Sequence, residues 1–178
     1  MNLSQLFAEL DRHDCPLSLD ELQNILAQLD VTPADFADAW HFDDSTYCRN
    51  LIRKTKAYEA LLLCFEAGQR TPIHDHRGSA CGVRIIAGTA VETIFDRCED
   101  GWLFATSSTA LQCPGVVGSY DSDVHQLSNL QPAGGRLATL HIYSPPLGHV
   151  GNYCIEDNSV QLVEPRIRVS SLVDNLCV

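Results

Sequence analysis

The segment Gly68-Gln69-Arg70-Thr71-Pro72-Ile73-His74-Asp75-His76 brings two histidines, one residue apart, just after a glycine and a proline. On a strand, residues i and i+2 point to the same face, so His74 and His76 can reach one metal ion from a short stretch of chain. His125, in Asp123-Val124-His125-Gln126-Leu127, begins another apparent strand and is expected to add a third imidazole from a neighbouring strand of a barrel. Three neutral imidazoles leave a dication with open positions that favour an anionic donor, and both iron(II) and zinc suit such a set. Apart from Asp75 the surrounding sequence offers no nearby carboxylate, so a substrate thiolate would restore the charge balance.

Holding these side chains together requires a β framework, and the pattern supplies one. Short runs rich in β-branched and aromatic residues fall at 47–52, 57–65, 82–86, 90–95, 102–107, 125–130 and 137–143, with weaker ones at 150–154 and 160–163. Glycine, proline or Asp/Ser clusters separate them, and no long helical pattern intervenes, which favours an antiparallel barrel or sandwich. The first forty residues differ. Leu22, Ile25, Leu26 and Leu29 recur at helical spacing, Ser18 and Glu21 form a capping box, and Thr32-Pro33 with Asp35 starts a second short helix reaching about Trp40. The expectation is one mainly β domain over 1–178, with N-terminal helices in 1–44 and an antiparallel barrel with C-terminal strands in 45–178.

Composition narrows the partners. The 178 residues are 45% apolar and 20% charged, enough for a substantial single core, and the net charge of −11 repels phosphate backbones and anionic lipid. Neither nucleic acid nor membrane is expected. No stretch approaches the length of a membrane span, and Glu9, Asp11 and Asp14 occupy the start where a secretory signal is basic and then apolar. A cytoplasmic monomer is expected. Cys15, Cys48, Cys64, Cys81, Cys98, Cys113, Cys154 and Cys177 are scattered without a C-x-x-C pair, so most read as small buried side chains in a reducing compartment.

The two histidine segments resemble the two motifs of the cupin superfamily. The first has Gly68, five residues, the H-x-H and a closing glycine at Gly88; the second has His125 followed four positions later by Asn129. Most metal-binding cupins carry a glutamate after the H-x-H, whereas Cys81 stands in the corresponding place here. Three further segments narrow the match. Tyr47-Cys48-Arg49-Asn50-Leu51, the run from His74 to Cys81, and Leu140-His141-Ile142-Tyr143-Ser144-Pro145-Pro146 together resemble the cysteine dioxygenase family, cupin thiol dioxygenases, across about 47–146.

That resemblance implies a cupin-type jelly roll holding Fe(II) on His74, His76 and His125, and conversion of cysteine and O2 to cysteine sulfinic acid in cysteine catabolism. It implies that Arg49, assisted by Tyr47, pairs with the substrate carboxylate, which suits the planar fork of a guanidinium. Tyr143 and His141 match a pair in which the phenol points at the reacting atoms and the imidazole orients it. Cys81 matches the cysteine that forms a thioether with this tyrosine in eukaryotic members, and Ser144-Pro145-Pro146 resembles the family's cis-proline turn. Departures are Phe65 in place of tryptophan, Arg77 after the H-x-H, and the segment beyond Pro146. The competing readings are dioxygenation of 3-mercaptopropionate or another thiol, where family members replace the arginine by glutamine; a non-catalytic metal-binding cupin sensor; and hydrolysis at a three-histidine zinc centre.

Overall fold

The computed structural model describes residues 1–120 and 123–169. Two helices open the chain, α1 (Leu3–Leu10) and α2 (Leu19–Ala27), followed by a 3-10 helix at Pro33–Ala39. Twelve strands follow: β1 (Cys48–Lys54), β2 (Glu59–Phe65), β3 (Ile73–His74), β4 (Ala80–Ala87), β5 (Thr89–Arg97), β6 (Leu103–Gln112), β7 (Val116–Ser119), β8 (Val124–Ser128), β9 (Leu137–Ser144), β10 (Val150–Tyr153), β11 (Val160–Val163) and β12 (Arg168–Val169).

They form two six-stranded sheets, ordered β12-β1-β2-β9-β4-β7 and β11-β10-β3-β8-β5-β6. All described pairings are antiparallel except that of β1 with β12, which is parallel. This is the mainly β, cupin-type jelly roll expected, with helices added at its N-terminal side.

Strands β2 and β9 are buried along their whole length because each serves two cores. Leu61, Leu63 and Phe65 of β2 meet Cys81, Val83, Ile85, Leu137 and Tyr143 inside the barrel, together with Ala90, Leu127 and Val150 from the opposite sheet. Ala60, Leu62 and Cys64 alternate outward with Leu140 and Ile142 and pack under Leu6, Leu10, Leu22 and Leu26 of the helices. The helices lie close to the sheet because two glycines admit them. A Cβ on Gly82 would stand 2.9 Å from Leu22 and Leu26, and one on Gly118 would stand 2.5 Å from Leu19.

Ser18 and Glu21 form the expected box at the start of α2, with Ser18 N–H donating to Glu21 at 2.8 Å. Asn2 and Gln5 form a second one on α1. The helix after Thr32 is of the 3-10 type and is interrupted at Phe36 (φ −111°), so it is tighter and less regular than a short α-helix.

Two strands depart from the sequence reading. Strand β3 is only two residues long, and β7 occupies Val116–Ser119 within a stretch whose Pro114, Gly115 and Gly118 suggest turns. The cysteines depart as well. Cys48, Cys64 and Cys81 are buried, but Cys15, Cys98 and Cys113 are exposed and Cys154 is intermediate; all seven are free. Cys177 lies outside the described residues. Both Cys113–Pro114 and Ser144–Pro145 are cis, the second as the resemblance implied. Among the described residues no helix is long and apolar enough to cross a membrane.

Candidate metal centre

Strands β3 and β8 pair so that His74 faces His125 directly, and His76 follows two residues beyond His74. His76 lies past the end of β3, just before a turn through Arg77 (φ 43°) and Gly78 (φ 98°), so the H-x-H is not a regular strand. Its rings still converge. Ring centroids are 5.2 Å apart for His74–His76, 4.7 Å for His74–His125 and 4.9 Å for His76–His125. One nitrogen from each of the three lies within 4.8 Å of the others, and all three residues are buried.

Each ring is oriented through its Nδ1. His74 Nδ1 lies 3.0 Å from the carbonyl of Pro72, His125 Nδ1 lies 2.8 Å from Glu92 Oε1, and His76 Nδ1 lies 3.5 Å from Ser119 Oγ. The Pro72 carbonyl and the Glu92 carboxylate are acceptors, so they favour the proton on Nδ1 of His74 and His125 and leave the Nε2 of those two rings as lone-pair donors, the tautomer a metal ligand requires. His76 Nε2 and His125 Nε2 stand 3.2 Å apart. Three buried imidazole nitrogens gathered this closely fit a metal cofactor held by His74, His76 and His125.

Burial, reinforced by the neighbouring His125, lowers His74 to about 3 and holds His76 well below the ordinary histidine value. Both are therefore neutral and competent to ligate at neutral pH.

The carboxylates do not fall where the sequence suggests. Asp75, between the two histidines, accepts from the Gly151 N–H at 2.8 Å, the Tyr153 hydroxyl at 2.6 Å and Arg77 Nε at 3.2 Å, tying the segment to β10. The carboxylate serving the centre is Glu92 of β5, which sequence reading missed. Its only signal was a charge sharing the face of Ala90 in an otherwise apolar run.

A second group of side chains lies alongside. Tyr143 and Cys81 oppose each other directly on β9 and β4, both with almost no exposure. The Tyr143 ring centroid is 5.5 Å from that of His76, and the Arg49 guanidinium carbon is 5.6 Å from the Tyr143 centroid, so the phenol stands between ligand and cation. His141 Nδ1 is 3.2 Å from the Tyr143 hydroxyl, and Thr139 Oγ1 is 2.9 Å from His141 Nε2, a three-member chain along alternate residues of β9. Tyr47 stacks on Phe65 with centroids 5.0 Å apart. A cavity of about 350 Å³ is lined by Tyr47, Arg49, Pro72, His74, Val150 and Asn152, and residues 163–166 form part of its mouth. Every expected site residue therefore falls in or beside one region of the barrel; Ser119, Thr139, Glu92 and Asn152 join them unforeseen.

A jelly roll of two facing sheets with three inward imidazoles beside a phenol and a buried guanidinium defines a metal-binding cupin. Sequence comparison agrees and goes further: residues 2–155 match the cysteine dioxygenase type I family, and the chain belongs to it. Cysteine dioxygenase type 1 of Rattus norvegicus is 30% identical over 137 residues, covering 73% of this chain and 66% of the rat protein. The Homo sapiens protein is 30% identical over 152 residues, covering 81% and 71%. The chain thus spans about two thirds of the length of these relatives.

Among solved structures, a Thermus thermophilus protein aligns with TM-score 0.53 at 13% identity over 62% of this chain and 94% of that one. A Klebsiella pneumoniae protein with a double-stranded β-helix domain aligns with TM-score 0.50 at 15% identity over 86% and 95%. These two share the fold.

Two outcomes follow from this geometry. Replacing Glu92 with Gln keeps the shape but removes the charge behind His125, and metal affinity measured by competition with a chelator should fall roughly 10- to 100-fold; unaltered affinity would remove Glu92 from the site. The second concerns pH. Burial, followed by Arg49, also keeps His141 well below the usual value, so the folded chain refuses protons that the unfolded chain accepts below 6.5. Unfolding free energy of the metal-free protein should therefore fall as pH drops from 6.5 toward His74's value of about 3. Urea titrations should show that decline and a shallower one in His141→Gln; equal slopes would contradict it.

Proposed function

We propose that the chain is a non-haem iron(II) dioxygenase that converts L-cysteine and O2 to cysteine sulfinic acid. The observation that carries this reading is Arg49. The residue is 8% exposed, its Nε and Nη2 are buried with no hydrogen-bond partner, and it lines the same cavity as His74. An unpaired buried cation is costly, and a carboxylate meeting it with parallel hydrogen bonds satisfies both charge and geometry. On a chain of net charge −11 this is a local attractor for a small anion.

When bound at the three imidazoles, iron(II) supplies a redox-active Lewis acid at which a substrate thiol and dioxygen can react. The reaction needs no outside reductant, because both oxygen atoms of O2 end on the sulfur. The protein's share is binding and proton placement. Arg49 fixes the carboxylate, and Tyr47, held flat against Phe65, flanks it in the cavity. Burial, with the neighbouring Cys81 thiol next in weight, pushes the Tyr143 phenol far above its ordinary value, so it stays a neutral donor. With the Thr139 hydroxyl donating to His141 Nε2, His141 Nδ1–H donates to the Tyr143 oxygen and frees the phenolic proton for the reacting atoms.

Cys81 supports a further part of this reading. Directly opposed residues on antiparallel strands bring their Cβ atoms to about 4.5–5.5 Å, and burial raises the Cys81 thiol, keeping it uncharged. A thioether between Cys81 Sγ and the Tyr143 ring removes one hydrogen from each, with O2 accepting the two electrons and two protons, and would lock the phenol in place.

Anaerobic loading with iron(II), then addition of cysteine and O2, should yield cysteine sulfinate; no sulfinate would overturn the assignment. Arg49→Gln should lower kcat/KM by about 100-fold, chiefly through KM, since one partner of a buried charged pair is removed. The crosslink is read separately, as an intact mass lower by two hydrogens after turnover and restored in Cys81→Ser.

A further inference from the structure

Strand β10 places Asn152 directly opposite His74. Residues that oppose each other in an antiparallel pair project to the same face, so the amide and the imidazole share one side of the sheet. Asn152 accordingly lines the cavity with His74, Arg49 and Tyr47. Its Oδ1 is buried and receives no hydrogen bond. Buried acceptors are paired as a rule, and one left open beside a cavity calls for a donor on whatever occupies that cavity.

The other unpartnered polar atoms of this cavity are Arg49 Nε and Nη2. The site therefore presents unmet donors from β1 and an unmet acceptor from β10, next to a ligand histidine. Its complement carries an anionic acceptor and an N–H donor on one small molecule. Glu164 also borders the cavity, but it is exposed, so water and salt screen its hold on an amine.

We infer that Asn152 is a specificity-determining residue whose side-chain oxygen accepts a hydrogen bond from the substrate's α-amine, so that the pocket selects an aminothiol acid over a thiol acid without nitrogen. This rests on the dioxygenase reading above and extends it from the carboxylate to the amine. Cysteine and 3-mercaptopropionate both bring a carboxylate to Arg49 and differ in the α-amine, which is the group the Asn152 amide meets.

The experiment compares L-cysteine with 3-mercaptopropionate on the iron-loaded wild type and on Asn152→Leu, Asn152→Ala and Asn152→Asp. It reads both kcat/KM and equilibrium affinity by anaerobic calorimetry. Loss of one hydrogen bond corresponds to roughly tenfold in affinity. In Asn152→Leu and Asn152→Ala the cysteine over 3-mercaptopropionate ratio should fall by about that factor, while Asn152→Asp, which keeps an acceptor, should retain the preference. Equal losses with both thiols would leave the ratio unmoved and overturn the inference, reducing Asn152 to a support for His74, and no loss with either thiol would overturn it as well. Wild-type protein that binds cysteine preferentially but forms no sulfinate would count against the dioxygenase reading alone, because the calorimetric ratio still decides the role of Asn152.

Discussion

His74, His76 and His125 bring one nitrogen each to within 4.8 Å of one another in the buried interior of the barrel, and Nε2 of His76 approaches Nε2 of His125 to 3.2 Å. Burial keeps His74 and His76 neutral, with their lone pairs available to a cation. The surrounding structure holds the rings there. The β3–β8 register sets His74 against His125, Asp75 anchors the intervening chain to β10, and Pro72, Ser119 and Glu92 each fix one ring. Glu92 also answers the missing charge of an all-imidazole set. The carboxylate lies behind His125 and not among the three nitrogens, so a bound cation would meet imidazoles directly and the negative charge only through His125.

Buried charge is arranged just as sparingly on the opposite sheet. Glu59 is fully buried on β2, directly across from Tyr143, and its Oε2 lies 2.8 Å from Lys54 Nζ, an ion pair without hydrogen-bond angles. Arg49, two strands from Tyr143, is the buried cation of that region. Removing Lys54 would leave Glu59 as an uncompensated interior charge, and Arg49 has no ion-pair partner of its own among the described residues, so these residues constrain the geometry more than they add stability. The phenol of Tyr143 is fixed between such neighbours, with His141 and Thr139 behind it.

Much of this was legible in the chain because it depends on local spacing. The His141/Tyr143 alternation, the Ser18–Glu21 box and the longer strands follow from local spacing, and the H-x-H was legible as two neighbouring ligands although His76 stands past the end of β3. What escaped depends on partners distant in sequence. Val116–Ser119 contains the residues of a turn, and it becomes a strand only because β4 offers it a ladder; Ser119 went unnoticed with it. Glu92 lies in a run where both faces are apolar enough to be the inner one, so no pattern could show that it points at His125. Asn152 belongs to the segment past Pro146 where resemblance fades, and its role is set by register with His74. The exposed cysteines Cys15, Cys98 and Cys113 illustrate the limit of composition, since residue type fixes an average burial and not a position.

The parallel pairing of β1 with β12 has a consequence for how the protein comes into being. Between β11, in one sheet, and β12, in the other, the chain crosses from wall to wall over the mouth of the cavity. Asn50 and Arg168 are partners across most of the sequence, so that closure has to wait until both walls stand. Residues 163–166 thus reach the cavity only through a pairing that joins distant parts of the chain, and a variant that lost that pairing would present a wider vestibule.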